Sequence, residues 1–160
     1  MTQTIYLAAG CFWGVQFHLS KLAGVTATCV GYMGGYTKNP TYEDVCRGNT
    51  GHYETVKVEY DDTQISTDEV LKLYFEIHDF EQANGQGPDL GMQYLSNIFY
   101  TQEAQRDAAI ALIKDLNHRG YKVRTEVAPA PTFWPGEIYH QDYYEKKGGQ
   151  PYCHSRRKIF

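Results

Sequence analysis

The pattern of apolar and polar positions predicts strands that alternate with amphipathic helices. An apolar stretch at residues 5–8 is typical of a short strand, and the segment after it carries Val15, Leu19 and Leu22 at helical spacing. Residues 52–60 instead alternate between apolar and polar positions, which predicts a strand with one apolar side. The chain therefore begins with a strand-helix unit and later returns to extended structure.

The other segments complete a mixed pattern of helices and strands. They are predicted as strands at 25–30, 96–100 and 121–128, helices starting at Ser66 and spanning 102–119, and Gly-rich loops at 31–49 and 79–91. This order predicts an α+β fold, a two-layer sandwich whose mixed sheet has a split-βαβ (ferredoxin-like) plait core and an irregular C-terminal tail. The 160 residues suffice for one core, so we predict a single domain over 1–160 in which 144–160 forms a mobile tail.

Charge and hydrophobicity exclude several classes of partner. The formal net charge of −4 gives no broad basic field, which argues against nucleic acid as a partner. The apolar stretch near the start is short and is broken by Gly10 and Gly14, so it predicts neither a signal peptide nor a membrane span. We therefore expect a cytoplasmic monomer with no membrane partner.

Cys11 is the strongest candidate for chemistry because it lies between the first predicted strand and the first predicted helix. The first-turn N–H groups of a helix lack intrahelical partners and carry partial positive charge, so a thiol placed there ionises more readily than an ordinary one. Phe12 and Trp13 follow directly and provide an aromatic wall that suits a small apolar group. This arrangement predicts a nucleophilic cysteine beside an apolar subsite.

Glu54 lies in the apolar register of the strand at 52–60. A buried carboxyl group resists ionisation, so Glu54 is a candidate acid; the alternative is an exposed or cation-paired carboxylate at the end of the strand. A thiolate with a neutral acid fits the reduction of sulfoxides or of peroxides. His52 and Glu54 could both ligate a metal, but no clustered third ligand follows and the chain has no Cys-x-x-Cys pair, so we predict no metal site.

The other cysteines differ in their surroundings. Reduction of an oxidised substrate by Cys11 would leave a sulfenic acid, which condenses readily with a second thiol. Cys153 follows a flexible Gly-Gly-Gln-Pro stretch and is the favoured second thiol, whereas Cys46 is a less favoured alternative. Cys29 shares an alternating face with Val25 and is predicted to be a small core residue.

Six motifs in a fixed order make the chain similar to one known family. They are GCFWG at 10–14, GYMGG at 31–35, PTYEDVC at 40–46, GHYE at 51–54, QGPDLGMQY at 86–94 and YHQDY at 139–143. Together they resemble the A-type peptide methionine sulfoxide reductases, and the resemblance covers nearly the whole chain.

The resemblance implies a reaction and the groups that perform it. Cys11 would attack the sulfur of the S-epimer of methionine sulfoxide, free or within a protein, and release methionine as Cys11 becomes a sulfenic acid. Glu54 would protonate the departing oxygen, and Tyr42 and Tyr94 would form hydrogen bonds with it. The product would be a repaired methionine.

The resemblance also implies how substrate is held and how the enzyme is recycled. Phe12 and Trp13 would hold the methyl group, and Asp89 would position the substrate. Cys153 would resolve the sulfenic acid by forming a disulfide, which thioredoxin, or dithiothreitol in vitro, would reduce. No metal or organic cofactor is implied, and a thiol peroxidase remains the alternative function.

Overall fold

A six-stranded mixed sheet forms the centre of the structure, a computed structural model that describes residues 1–149, 151 and 154–160. In chain order the elements are β1 (Thr2–Ala9), α1 (Phe12–Leu19), β2 (Val25–Met33), α2 (Tyr42–Cys46), β3 (Tyr53–Asp61), α3 (Thr67–Glu76), β4 (Gly85–Gln86), β5 (Asp89–Leu90), β6 (Ser96–Tyr100), α4 (Glu103–His118), β7 (Glu126–Pro129), β8 (Phe133–Pro135) and α5 (Tyr143–Lys147). The strand order in the large sheet is β7-β6-β1-β3-β2-β8, and β4 pairs with β5 in a separate hairpin. The prediction of an α+β fold with a mixed sheet is confirmed.

One face of the large sheet carries the main core. In the antiparallel pairing of β1 with β3, Ile5 lies opposite Val58 and Leu7 lies opposite Val56. All four side chains are fully buried in a cluster that also contains apolar residues of α1, α3 and α4. Burial of each such side chain stabilises the fold by roughly 1.5–3 kcal/mol, so the alternating pattern of β1 and β3 fixes which face meets the helices.

The sheet also determines where functional groups gather. β6, β1, β3 and β2 are neighbours and pair antiparallel, so the C-terminal ends of β1 and β2 lie beside the N-terminal ends of β3 and β6. Ala9 lies opposite Ser96, and Tyr32 lies opposite Glu54. Residues that follow β1 or precede β6 are thereby brought to the same edge as Glu54.

The two predicted loops, 31–49 and 79–91, contain short strands and a helix. Residues 31–33 extend β2, and α2 begins within the predicted loop 31–49. Thr41 caps α2, since its hydroxyl accepts from Asp44 N–H while the Asp44 carboxylate accepts from Thr41 N–H. The Gly- and Pro-rich composition concealed this capping box, and the short hairpin of β4 and β5 within 79–91 was concealed in the same way.

Other boundaries differ from the prediction as well. Helix α1 ends at Leu19 rather than continuing to Leu22, which packs against the core from the turn that follows. The strand predicted at 121–128 is confined to β7, and β8 at the sheet edge was not predicted. Both are short strands whose pairing, with β6 and with β2, depends on contacts distant in sequence.

Cys29 is not a core residue. A β-bulge between Val25 and Ala27 shifts the register of β2 against β3, so Val30 and Tyr32 face the main core and Cys29 remains partly exposed. After a bulge, each residue of a strand faces the side opposite to the one that simple alternation predicts. For this reason the prediction that Cys29 shares a buried face with Val25 is wrong.

Within the described part of the chain, no helix is both long enough and apolar enough to cross a membrane.

Candidate active site

Cys11 occupies the predicted position at the start of a helix. It is the N-cap residue of α1, and its carbonyl oxygen accepts from Gly14 N–H at 3.2 Å and Val15 N–H at 3.4 Å. Its side chain is only 7% exposed. The thiol therefore lies at the end of α1 where the helix dipole favours negative charge.

Glu54 is brought to the same helix end by β3. The side chain is 1% exposed and shares the core-facing register with Val56 and Val58. Its Oε1 accepts a hydrogen bond from Phe12 N–H at 3.2 Å, one of the first-turn donors that a helix leaves without a partner. The alternative of an exposed carboxylate is therefore wrong, and the Glu54 carboxyl group contacts the first turn of α1, directly after Cys11.

Two tyrosines come to this edge from short segments. Tyr42 is the first residue of α2, and Tyr94 lies in a 3₁₀ turn just before β6. Burial raises the pKa of both hydroxyls, and ionisation of the nearby Glu54 carboxyl group would raise the pKa of each further. Both hydroxyls therefore stay protonated near neutral pH and can donate hydrogen bonds close to the carboxyl group.

The predicted apolar wall is present as a set of stacked rings. Tyr42 stacks with Phe12 and with Trp13, each pair having centroids 6.3 Å apart. Phe12 is buried, whereas Trp13 is partly exposed. On Trp13 lies the ring of Tyr143, with centroids 3.8 Å apart and planes within 9°. These contacts fix the orientation of the wall beside the thiol.

His140 is a site residue to which the sequence analysis gave no role. Its Nδ1 accepts a hydrogen bond from Trp13 Nε1–H at 3.0 Å, and its ring lies 4.4 Å from Tyr42 between centroids. Burial lowers the pKa of His140, although the nearby Glu137 charge opposes this shift. The imidazole is therefore neutral and orients Trp13. The only sequence signal was its place in the motif at 139–143.

Glu137 was also missed, and it joins two parts of the site. Its Oε1 accepts from the Tyr32 hydroxyl at 2.8 Å, and its Oε2 accepts from Tyr42 N–H at 3.0 Å. Burial acts to raise the pKa of Glu137, but these hydrogen bonds outweigh it and leave the pKa below its usual range. No periodicity marks this position, because the residue lies in an irregular segment after β8.

The remaining candidates are placed differently. Asp89 is partly buried in β5, and its charge contributes to the raised pKa of Tyr94, so it belongs to this region. Cys46 is a free cysteine at the end of α2 and is exposed as a residue, but partial burial of its thiol raises the pKa, and a hydrogen bond with Tyr42 opposes that rise. Cys153 lies outside the described residues.

Metal-ligating groups do not cluster at this edge. Among the described residues, no three His, Cys, Asp or Glu side chains are arranged to hold a metal ion. His52 instead accepts from Gly35 N–H at Nδ1 and donates to the Thr37 carbonyl oxygen at 2.8 Å, as a structural histidine does. A cavity of about 440 Å³ is lined by residues such as Leu95 and Arg124 and by none of the predicted site residues.

Comparison with known proteins identifies one family. A family model described as peptide methionine sulfoxide reductase matches residues 3–160. A protein of Nautilia profundicola named peptide methionine sulfoxide reductase MsrA is 47% identical over 144 residues, which cover 90% of this chain and 83% of that protein.

Solved structures match over the same extent. The crystal structure of Mxr1 from Saccharomyces cerevisiae in reduced form has a TM-score of 0.91 and 32% sequence identity, and the match covers 98% of this chain and 93% of that one. Mxr1 in complex with Trx2 matches with a TM-score of 0.64 and 23% identity over 98% and 91% of the two chains, which shows a shared fold.

Proposed function

Because the chain belongs to the peptide methionine sulfoxide reductase family, we propose that it reduces the S-epimer of methionine sulfoxide, free or in proteins, to methionine. The observation that carries the proposal is the hydrogen bond from Phe12 N–H to the buried Glu54 carboxyl group, which joins that group to the helix turn of Cys11. An enzyme with this activity repairs oxidised proteins.

The proposed reaction transfers oxygen from the substrate sulfur to the cysteine. The Cys11 thiolate attacks the sulfoxide sulfur while Glu54 gives a proton to the sulfoxide oxygen. The oxygen then passes to Cys11 as a sulfenic acid, and methionine leaves with its sulfur reduced. The N-terminal end of α1 favours the thiolate, and burial of Glu54 favours the protonated acid that the step consumes.

The surrounding groups have supporting roles in the proposal. The hydroxyls of Tyr42 and Tyr94 donate hydrogen bonds to the sulfoxide oxygen, which gains negative charge during the attack. Phe12 and Trp13 hold the substrate methyl group, and Asp89 positions the rest of the substrate. The raised pKa values of both tyrosines support the first role, and the ring stacking supports the second.

Recycling needs a second thiol, and we assign it to Cys153. Its thiol condenses with the Cys11 sulfenic acid, which forms the Cys11–Cys153 disulfide and releases water. His154, the next residue, is buried and bonded to the carbonyl oxygen of Ala9, which supports this assignment. Thioredoxin then reduces the disulfide in the cytoplasm, and dithiothreitol replaces it in vitro. The proposed enzyme acts as a monomer and uses no metal or organic cofactor.

We also propose that the core of the mixed sheet is a split-βαβ plait. The neighbouring strands β6, β1, β3 and β2 are connected in chain order through α1 and α3. This order supports the split-βαβ plait as the core of the sheet.

The test uses resolved sulfoxide epimers with dithiothreitol as reductant. We expect methionine from the S-epimer alone, and no activity in Cys11→Ser, whose hydroxyl is a far weaker nucleophile. Turnover of hydrogen peroxide measured in parallel separates the reductase from a thiol peroxidase. A folded protein that reduces neither epimer, or that turns over peroxide far faster than sulfoxide, would refute the proposal.

A further inference from the structure

Glu76 is a buried carboxylate that the proposed reaction does not use. It is the last residue of α3, and its side chain is 3% exposed. Its Oε2 accepts from Ile159 N–H at 3.0 Å and from Phe160 N–H at 3.2 Å. Its Oε1 accepts from Arg156 Nε–H at 3.0 Å and lies 2.9 Å from Arg156 Nη2. Both oxygens therefore bind the C-terminal segment.

Further contacts fasten the same segment between α3 and α4. The carbonyl oxygen of Glu76 accepts from Arg157 N–H at 2.9 Å. Arg119, which follows α4, donates to the Ile159 carbonyl oxygen at 2.9 Å and lies over the Phe160 ring at 5.4 Å. Residues 156–160 are thus held by side chains and backbone groups from two helices.

The other end of this segment lies on the helix of Cys11. His154 Nε2–H donates to the carbonyl oxygen of Ala9, and His18 Nε2–H donates to the His154 carbonyl oxygen at 3.0 Å. The imidazole covers Gly14, where an added Cβ would overlap the ring. Residues 154–160, which we call the C-terminal strap, therefore run from α1 to α3.

The energetics indicate that Glu76 acts as an anchor. Burial acts to raise its pKa, but the hydrogen bonds from Ile159, Phe160 and Arg156 outweigh burial and lower the pKa below its usual range. A buried carboxylate is unfavourable unless it is fully bonded, and breaking such a set is strongly destabilising. Arg156, Ile159 and Phe160, which bind its carboxylate, all lie in the strap, so release of the strap would leave this charge without them.

We propose that Glu76 is a positioning residue for the recycling half of the reaction. By fixing the strap to α3 it keeps His154 seated on α1. This tether raises the effective concentration of the resolving thiol, which is one residue earlier in the sequence, for the Cys11 sulfenic acid. The step it assists joins the two sulfurs and releases the sulfenic oxygen as water. This inference rests on the proposed function and on its assignment of Cys153.

The first experiment compares Glu76→Gln with Glu69→Gln, which removes an exposed charge from the same helix. In a single turnover without reductant, both variants should form methionine at the wild-type rate, because Cys11 and Glu54 are untouched. Formation of the Cys11–Cys153 disulfide, followed by mass spectrometry, should slow by roughly tenfold in Glu76→Gln alone. Dimedone should then trap more sulfenic acid in that variant, and thioredoxin-coupled turnover should fall with it.

A second variant tests the other end of the strap. Gly14→Ala adds a methyl group where His154 lies, and alanine suits a helix better than glycine. It should slow disulfide formation at a temperature well below its measured Tm, where the protein is folded. This keeps the test valid even where Glu76→Gln destabilises the whole protein.

The outcomes are separable from those of the proposed function. A wild-type protein that forms no methionine refutes the proposed function and this inference with it. Normal thioredoxin turnover in Cys153→Ser refutes the resolving role while leaving sulfoxide reduction intact. If both hold but Glu76→Gln forms the disulfide at the wild-type rate, or slows methionine formation equally, Glu76 has a structural role and the inference is wrong.

Discussion

The two groups proposed to react and the groups around them are held in different ways. Cys11 lies in the tight turn that joins the central strand β1 to α1, and Glu54 is buried in the central strand β3. Tyr42 and Tyr94 instead come from a five-residue helix and a three-residue turn. The first pair is fixed by strand register and core packing. Tyr42, in contrast, is held by contacts with neighbouring rings and by the hydrogen bond from its N–H to Glu137.

This difference predicts different responses to mutation. Elements with many buried contacts open rarely, whereas short segments held by a few hydrogen bonds open more easily. Changes to the sheet-borne pair should therefore remove a chemical step. Changes to residues that anchor the short segments, such as Glu137, should lower the rate of methionine formation only in part.

After loss of Cys11 itself, the largest effect is expected from loss of the proposed resolving thiol. Cys153→Ser should permit one methionine per enzyme and then abolish thioredoxin-dependent turnover, because the Cys11 sulfenic acid has no thiol with which to condense. Counting methionine per enzyme with and without thioredoxin measures this. Cys46→Ser is the matched control and should turn over normally. Sustained turnover in Cys153→Ser would transfer the resolving role to Cys46.

Loss of the acid in the sheet should have the next largest effect. Glu54→Gln keeps the shape of the side chain but removes its proton, so single-turnover methionine formation should slow by roughly 10²- to 10⁴-fold. Reaction of Cys11 with iodoacetamide as a function of pH should change little, because the thiolate also depends on the end of α1. Glu59→Gln, from the same strand, is the control. An unchanged single-turnover rate in Glu54→Gln would show that Glu54 is not the acid that protonates the sulfoxide oxygen.

The positions of Cys11 and Glu54 could be predicted from the local sequence pattern. Cys11 was found because a strand-to-helix junction is visible in a short window, and Glu54 because alternation along β3 marks its buried face. The same reasoning failed at Cys29, where one bulge in β2 shifted the register. Pattern reasoning therefore succeeds where the pairing is regular and fails where a single residue is inserted.

The other groups of the site could not be predicted in this way, because contacts between residues distant in sequence bring them together. The roles of Tyr42 and Tyr94 came from family resemblance, since neither lies in a periodic segment. Glu137 gave no local signal and His140 gave only its place in the motif at 139–143, because their importance comes from hydrogen bonds to residues 95 and 127 positions away. Such contacts become visible only once the chain is folded.

A moderate effect is expected from the anchor of α2. Glu137→Gln weakens the acceptor for Tyr42 N–H, so single-turnover methionine formation should fall by roughly tenfold, the cost of one charge-assisted hydrogen bond. Glu43→Gln, an exposed residue of α2, is the control. If Glu137 acts through Tyr42, adding Tyr42→Phe should produce a less than additive loss. Fully additive losses would show that Glu137 acts through another group.

The smallest effect concerns the strap and its response to pH. Because hydrogen bonds lower the pKa of Glu76 in the folded protein, its carboxylate stabilises the fold fully above the pKa of an unfolded glutamate, near 4.3. That contribution is lost as pH falls through the lower pKa of the folded state.

Urea unfolding of wild type and Glu76→Gln between pH 6 and pH 3 measures this contribution. The difference in unfolding free energy should be about 1 kcal/mol and constant above pH 5, and it should shrink towards pH 3. Carboxylates elsewhere, such as Asp44 and Asp61, titrate alike in both proteins and cancel in the difference. A difference that stayed constant to pH 3 would mean that the Glu76 charge does not hold the strap, and the strap would then depend on packing, as the sheet does.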